Sequence, residues 1–198
     1  MSKTKEFYEK YAERWSSVKT NSFYHEKPFR VFEKLLKNGD RIIDIGCAYG
    51  IHMPLFLGIG RKLKYEGMDV TRAMVKIAKS RYPQLPFNVA DATKFKSKKK
   101  FDGFWSAATL MHIQMKDWSK LLSNIESNVK KGGIGYLTLP AEIPNPASDT
   151  DQRHFELFTK ESFKKIANER GWKVLKTGEF EPTQITAMWY WFIVKLPG

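Results

Sequence analysis

Small and acidic residues follow two apolar, strand-like runs in the first half of the chain. The first run, RIIDIGCAYG over residues 41–50, ends in a loop that contains Gly46, Cys47, Ala48 and Gly50. The second run, YEGMDV, carries Asp69 about 20 residues after that loop. Glycine lets the backbone turn sharply against a ligand, and a carboxylate at a strand end accepts hydrogen bonds from both ribose hydroxyls. This spacing predicts a site for a nucleoside cofactor.

The same loop argues against a dinucleotide ligand. A dinucleotide fingerprint places a third glycine one residue beyond Gly50, and this chain has Ile51 there. We therefore expect the ligand to lack a diphosphate.

Three motifs together resemble the class I S-adenosylmethionine-dependent methyltransferases. They are RIIDIGCAYG, GMDVTRAMVKIAKSRYP and NVADAT, and the similarity extends over roughly residues 40–140. The resemblance implies S-adenosylmethionine as the cofactor. It also implies an α/β fold with a Rossmann-like, doubly wound sheet of seven strands, mostly parallel with one antiparallel strand near the C-terminus.

The resemblance also implies roles for residues at the cofactor. Asp69 would bind the ribose, Asp91 and Ala92 the adenine, and Asp44 would orient the loop or meet the ammonium of the methionine part. The remaining cofactor candidates are loop, apolar and strand-end residues: Gly46, Cys47, Ala48, Gly50, Val70, Met74 and Ser106. The alternatives are a surface turn for Asp69, a cap or salt bridge for Asp44, and core packing for Val70 and Met74.

His112 is the candidate for catalysis. In FDGFWSAATLMHI it follows the predicted fourth strand, as in a subgroup of these methyltransferases, and an imidazole can take up a proton near neutral pH. The alternative is a histidine that only bonds the backbone of that turn. Contacts to the methyl acceptor, or purely structural roles, are predicted for Tyr11, Trp15, Arg153 and Tyr190. We expect no metal ligand.

Hydrophobic periodicity and turn residues predict alternating helices and strands, the pattern of a mostly parallel sheet. The predicted helices cover Thr4–Ser17, Pro28–Lys37, Ile51–Leu57, Thr71–Arg81, Trp118–Lys130 and Phe163–Arg170. After the first strand, the predicted strands cover Leu63–Val70, Phe87–Ala90, Phe101–Ser106, Ile134–Leu139, Trp172–Thr177 and Trp189–Lys195. We expect Lys131-Gly132-Gly133 to close the fifth helix.

Length and composition predict one domain. The chain has 198 residues, of which 42% are hydrophobic and 28% charged, the usage of a globular protein. We divide it into an N-terminal helical cap (1–39), a cofactor-binding core (40–140), a substrate loop (141–158) and a C-terminal helix with a strand hairpin (159–198).

Cysteine usage and charge bear on location and partners. One cysteine and a polar opening without a signal peptide predict a cytoplasmic protein, and the longest apolar run, 185–194, is too short to cross a membrane. The net charge of +13 and the lysine run at 94–100 make nucleic acid a second candidate partner. We favour a solvated loop there, because only Phe95 is available to stack on bases.

The favoured function is methyl transfer to an O, N or S atom of a small molecule. Ser106-Ala107-Ala108-Thr109 lacks the Asn/Asp-Pro-Pro-aromatic turn of exocyclic-amine methyltransferases, and the sole cysteine lies in the loop, which excludes covalent cytosine chemistry. The alternatives are a methyltransferase acting on RNA or protein, a non-catalytic S-adenosylmethionine-binding module, and a dehydrogenase.

Overall fold

The computed structural model describes residues 2–17, 23–58, 60–142, 152–181 and 187–198. The helices are α1 (Lys3–Ser17), α2 (Phe23–Lys34), α3 (Met53–Leu57), α4 (Arg72–Arg81), α5 (Met115–Asn128) and α6 (Lys160–Glu169). The strands are β1 (Arg41–Ile45), β2 (Lys64–Asp69), β3 (Phe87–Val89), β4 (Phe101–Ser106), β5 (Val129–Pro140), β6 (Lys173–Phe180) and β7 (Trp189–Lys195). A short 3₁₀ helix, Leu110–His112, follows β4.

The seven strands form one sheet in the order β3-β2-β1-β4-β5-β7-β6. The strands β1 to β5 pair in parallel, whereas β7 is antiparallel to both of its neighbours. The predicted fold class is therefore confirmed. The strand order changes direction between β1 and β4, which is where open α/β sheets bind ligands, beyond the carboxyl ends of the strands.

Helices cover both faces of the sheet, and each face has its own apolar core. On one face, α5 and α6 pack through residues such as Trp118, Ile125 and Phe163. On the other face, α2, α3 and α4 pack through residues such as Phe29 and Phe56. Strands buried on both sides explain the continuous apolar runs of the sequence.

Two predicted boundaries were wrong. Helix α2 starts at Phe23, and Pro28 lies inside it, although proline is favoured in the first turn. Lys131-Gly132-Gly133 does not close a helix, because α5 ends at Asn128 and these residues lie within β5. The ladder to β4 shifts its register there, and Gly132 has a φ of +69°, so the glycines form an irregularity in the strand.

The other elements agree with their predictions to within a few residues, and β4 and β7 have the predicted bounds. The predicted substrate loop, 141–158, lies mostly outside the described residues. Its last part, 152–158, has no regular secondary structure.

Gly103 is the position in the central sheet where we expect a methyl group to be least tolerated. A Cβ atom there would collide with the backbone oxygen of Ile134 on β5. Gly103→Ala should therefore lower the free energy of unfolding in urea by about 1–3 kcal/mol. Gly60→Ala is the matched control, because nothing lies within 4 Å of its Cβ position. Equal stability of the two variants would contradict this account.

Candidate cofactor and acceptor site

A cavity of about 1040 Å³ lies beyond the carboxyl ends of β1, β2 and β4. Helix α1 supplies one wall through residues that include Thr4, Tyr8 and Trp15. All four histidines of the chain line this cavity: His25, His52, His112 and His154. The cavity is therefore the place where the histidines of the chain converge.

The loop after β1 reaches its shape through left-handed backbone conformations. Gly46 and Gly50 each have a φ of +78°, and Ala48 has a φ of +48°. The amides of Gly46 and Cys47 both donate to the carbonyl of Met68, at 2.8 and 3.0 Å. These bonds hold the loop against the end of β2, so that the loop and the second strand form one surface of the cavity.

Asp69 connects the two loops that form the floor of the cavity. Its Oδ2 accepts from the amide of Ala48 at 3.0 Å, and its Oδ1 accepts from the amide of Thr71 at 2.8 Å. Burial raises the pKa of Asp69, while the hydrogen bonds from Thr71 and Ala48 oppose the rise. Each carboxylate oxygen keeps acceptor capacity for a ligand donor, because a carboxylate offers about four lone-pair sites.

Helix α1 is docked on the start of α4 through Glu9. The Glu9 carboxylate accepts from the amides of Arg72 at 2.7 Å and Ala73 at 3.0 Å. Free amides at a helix N-terminus favour a negative partner, so Glu9 acts as a cap supplied by another helix. Arg81, at the other end of α4, donates to the carbonyl of Ser16 at 2.7 Å.

The turn after β3 brings Asp91 and Ala92 to the cavity. Oδ1 of Asp91 accepts from both the amide and the hydroxyl of Thr93 at 2.8 Å, which fixes the carboxylate. Val70 and Met74 also line this part of the cavity. Val70 is exposed, whereas Met74 is buried and packs with Ala12 and Tyr49.

His112 faces the cavity with a defined tautomer. Its Nδ1 lies 2.6 Å from the carbonyl oxygen of His154, which can only accept, so Nδ1 carries the hydrogen. Nε2 is then the acceptor, and the hydroxyl of Tyr8 lies 3.2 Å from it. Arg153 donates to the same hydroxyl at 2.9 Å. The basic nitrogen of His112 is thus engaged by the hydroxyl of Tyr8, and both residues line the cavity.

Arg153 joins α1 to the segment that follows the undescribed residues 143–151. Its guanidinium lies 4.8 to 5.6 Å from the ring centroids of four aromatic residues: Phe7, Tyr8, Trp15 and Phe155. Cation–π contacts of this kind stabilise a cation in an aromatic environment. Arg153 thereby fastens the N-terminal helix over the cavity.

Some candidate residues lie away from the cavity surface. Asp44, Cys47 and Ser106 are fully buried; Asp44 accepts from the Tyr65 hydroxyl at 2.8 Å, and Ser106 donates to the carbonyl of Ile45. Gly50 is buried against the Tyr82 ring. Tyr11 contacts the ring of Phe7, and Tyr190 lies beneath the ammonium of Lys160. These residues shape the site from behind or lie outside it.

Sequence reasoning missed several residues that line or support the cavity. His25 and His52 belong to no recognised motif. The amide of Thr71 donates to Asp69, and Glu9 caps α4 from a distant helix. The one available signal was the position of His52, which directly follows the glycine loop within the predicted helix Ile51–Leu57, whereas His25 lies three residues before the predicted helix Pro28–Lys37.

The lysine run at 94–100 is consistent with a solvated loop. Its five lysines are exposed, while Phe95 is partly buried and packs against the core. The aromatic ring that could have stacked on a base is therefore used for packing.

Among the described residues, no helix is long and apolar enough to span a bilayer. Within the same residues, no group of three or more His, Cys, Asp or Glu side chains is arranged to hold a metal ion.

Comparison with known proteins assigns the chain to a family. A family model described as a methyltransferase domain matches residues 20–177. The chain belongs to this methyltransferase domain family. The resemblance inferred from the three motifs is thus confirmed.

Curated relatives of this methyltransferase domain are longer proteins. The domain is 29% identical over 139 residues to an uncharacterized protein of Methanocaldococcus jannaschii. The aligned region covers 68% of this chain and 51% of that protein. The domain is 31% identical over 96 residues to malonyl-(acyl-carrier protein) O-methyltransferase 2 of Ilyobacter polytropus, covering 47% of this chain and 36% of that protein. The chain thus spans about half or less of the length of these relatives.

Among solved structures, the domain is similar to 1,6-didemethyltoxoflavin-N1-methyltransferase of Burkholderia thailandensis, crystallised with 1,6-didemethyltoxoflavin and S-adenosylhomocysteine. The TM-score is 0.80 at 12% sequence identity, and the match covers 99% of this chain and 88% of that chain. At this identity the likeness establishes the fold.

The free energy of unfolding of the methyltransferase domain should depend on pH through Asp44. Burial raises the pKa of Asp44 from 3.8 to about 7, the Tyr65 hydrogen bond lowers it and nearby Asp69 raises it. The folded chain then binds a proton more tightly than the unfolded chain. The free energy of unfolding contributed by Asp44 should therefore fall as pH rises from about 4 to about 7, by up to about 1.4 kcal/mol per pH unit.

Urea unfolding of the Asp44→Asn variant tests this. The difference in unfolding free energy between the variant and the unmodified protein should shift in favour of the variant across that window. Asp102→Asn is the matched control, because backbone and Lys130 hydrogen bonds outweigh burial and lower the pKa of Asp102 out of the window. A pH-independent difference for Asp44→Asn would disprove the assignment.

Proposed function

We propose that the chain is a methyltransferase that takes the methyl group from S-adenosylmethionine and transfers it to an O, N or S atom of a small molecule. The observation that carries this proposal is Asp69, a carboxylate fixed by two amides at the end of β2, on the floor of a cavity of about 1040 Å³. Family membership supports the reaction type. The Burkholderia thailandensis neighbour, which binds S-adenosylhomocysteine and a small molecule, supports the choice of ligands.

The residues of the cavity fit this donor. Asp69 has lone pairs for two ribose hydroxyls, and the loop of Gly46 and Ala48 brings backbone close to the amino-acid part. Asp91 and the backbone of Ala92 suit the adenine edge. Val70 and Met74 offer apolar contact to the ring, and we propose that Asp44, Cys47, Gly50 and Ser106 support this surface from behind it.

His112 is the proposed base. When bound, S-adenosylmethionine supplies a sulfonium-activated methyl group. The protein must align the acceptor atom, exclude water and, where the acceptor is protonated, receive its proton. Nε2 of His112 can take that proton once the acceptor displaces the Tyr8 hydroxyl from it, because Nδ1–H is bonded to the carbonyl of His154 and holds the tautomer. Trp15 and Arg153 line the same cavity, and we propose that they contact the acceptor.

The single cysteine and its burial within the loop also lead us to propose a cytoplasmic location. A small-molecule acceptor is favoured over RNA or protein because Phe95 of the lysine run is packed into the core.

Asp69→Ala should weaken the binding of S-adenosylhomocysteine by about 5- to 150-fold, or about 1–3 kcal/mol, because ribose hydroxyls lose a charged acceptor. Isothermal titration calorimetry measures this. Glu179→Ala is the matched control, because it removes an exposed carboxylate of β6 that is paired with Lys160. An Asp69→Ala protein that binds like the control would remove Asp69 from the site.

His112→Ala should lower turnover by about 100-fold or more while the affinity for S-adenosylhomocysteine stays unchanged, because a base acts on the chemical step. Turnover is measured with radiolabelled S-adenosylmethionine and affinity by calorimetry. Full turnover in the variant would leave His112 a structural residue.

The acceptor class is tested by methyl transfer from radiolabelled S-adenosylmethionine into separated metabolite, RNA and protein fractions of a cell extract. We expect label in the metabolite fraction. Label only in RNA or protein would refute the small-molecule acceptor, and calorimetric binding of NAD in place of S-adenosylhomocysteine would refute the methyltransferase proposal itself.

A further inference from the structure

His25 and His52 form a second histidine pair in the cavity, apart from the bonded pair His112 and His154. His25 lies on α2, and His52 directly precedes α3, just after the glycine loop. Their rings meet edge to face with centroids 4.9 Å apart. Both line the cavity, and His52 is only 4% exposed.

The hydrogen bonding of this pair is incomplete. Nδ1 of His25 lies 2.9 Å from the hydroxyl of Tyr136. Nδ1 of His52 is buried and has no hydrogen-bond partner among the described residues. The indole N–H of Trp105, whose ring lies against His52, is also buried without an acceptor in that part of the chain. Buried polar atoms in folded proteins are nearly always paired, so the unpaired nitrogen of His52, which lines the cavity, points to a partner supplied by a ligand.

Both imidazoles are neutral. Burial lowers the pKa of His25 to about 4, and burial together with the neighbouring His25 lowers the pKa of His52 well below 6.5. A neutral imidazole presents one N–H donor and one nitrogen acceptor in the plane of its ring. The pair can therefore both donate to and accept from a ligand.

The surroundings of the pair are aromatic. The ring of His25 contacts Trp105, Tyr136 and Phe180 at centroid distances of 5.3 to 6.2 Å, and the ring of His52 contacts Trp105 at 5.7 Å. Trp105 and Tyr136 are fully buried and support the two imidazole rings from behind. The cavity itself is lined by the rings of Tyr8, Trp15 and Tyr49 as well as the histidines, and flat aromatic molecules pack well against such rings. A charged group of a ligand would lose its hydration beside this pair. The aromatic residues that contact the two histidines carry no opposite charge to compensate for that loss.

We propose that His25 and His52 form the acceptor-recognition end of the cavity and select a flat, uncharged aromatic molecule that carries an O–H or ring N–H group. This inference rests on the proposed function, because it names the acceptor class for the same cavity. His52 accepts from or donates to that polar group, and the aromatic rings that line the cavity select the flat shape.

The test uses two probes that differ in one donor. 7-Hydroxycoumarin carries a phenolic O–H, and 7-methoxycoumarin has the same ring system without it. We expect the protein saturated with S-adenosylhomocysteine to bind the hydroxy compound about fivefold more tightly, the effect of one hydrogen bond. Choline, a small cation, should bind more weakly than either.

Side-chain ¹H–¹⁵N spectra locate the probe, since the chain has only four histidines. 7-Hydroxycoumarin should shift the ring-nitrogen signals of His25 and His52. The His154 signal should stay in place, because its Nε2 is held by Glu156 at 2.9 Å, and it serves as the internal control. Unmoved signals of His25 and His52, or tighter binding of choline, would overturn the proposal.

The His52→Phe variant provides a second arm. It should lose the fivefold preference for the hydroxy compound, and retention of the preference would also overturn the proposal. If this variant fails to fold, the spectra of the unmodified protein decide.

Failure of the two proposals gives different results. Without any binding of S-adenosylhomocysteine, the proposed function fails, and the coumarin titration repeated on the protein alone still tests the histidine pair. With S-adenosylhomocysteine bound and no selectivity between the coumarins, the histidine inference alone fails.

Discussion

The site depends on one carboxylate that holds two loops together. Asp69 accepts from the amide of Ala48, in the loop after β1, and from the amide of Thr71, at the start of α4. Without it, the left-handed loop would keep only its bonds to the carbonyl of Met68 on this side. Asp69, which we propose binds the ribose, thus also holds the loop in position. One side chain therefore serves both ligand binding and the local structure.

The sheet explains why distant residues meet around Asp69. β1 lies between β2 and β4, and the carboxyl ends of all three strands face the same way. The glycine loop, Asp69 and the 3₁₀ helix with His112 each follow one of these strands. Parallel pairing therefore places the proposed cofactor residues and the proposed base around one cavity, although they are far apart in the chain.

Local patterns predicted the parts of the site that lie at strand ends. Asp69 and the glycine loop were proposed because their spacing follows strands that the sequence marks clearly, and Asp91 was proposed from the family resemblance. The bond between Tyr8 and His112 and the pairing of His25 with His52 join separate segments, which no periodicity reports. The start of α2 was misplaced because Pro28 is a signal for a first turn, whereas tertiary packing extends this helix beyond it.

Three consecutive amides at the start of α4 serve two different carboxylates. Thr71 donates to Asp69 in the floor of the cavity, while Arg72 and Ala73 donate to Glu9 of the helix that walls it. The negative charge of Glu9 also raises the pKa of Asp69. If α1 left the cavity, Asp69 would lose a neighbouring negative charge, and the two amides that Glu9 occupies would become free. Opening of the cavity would therefore also change its affinity for a cofactor.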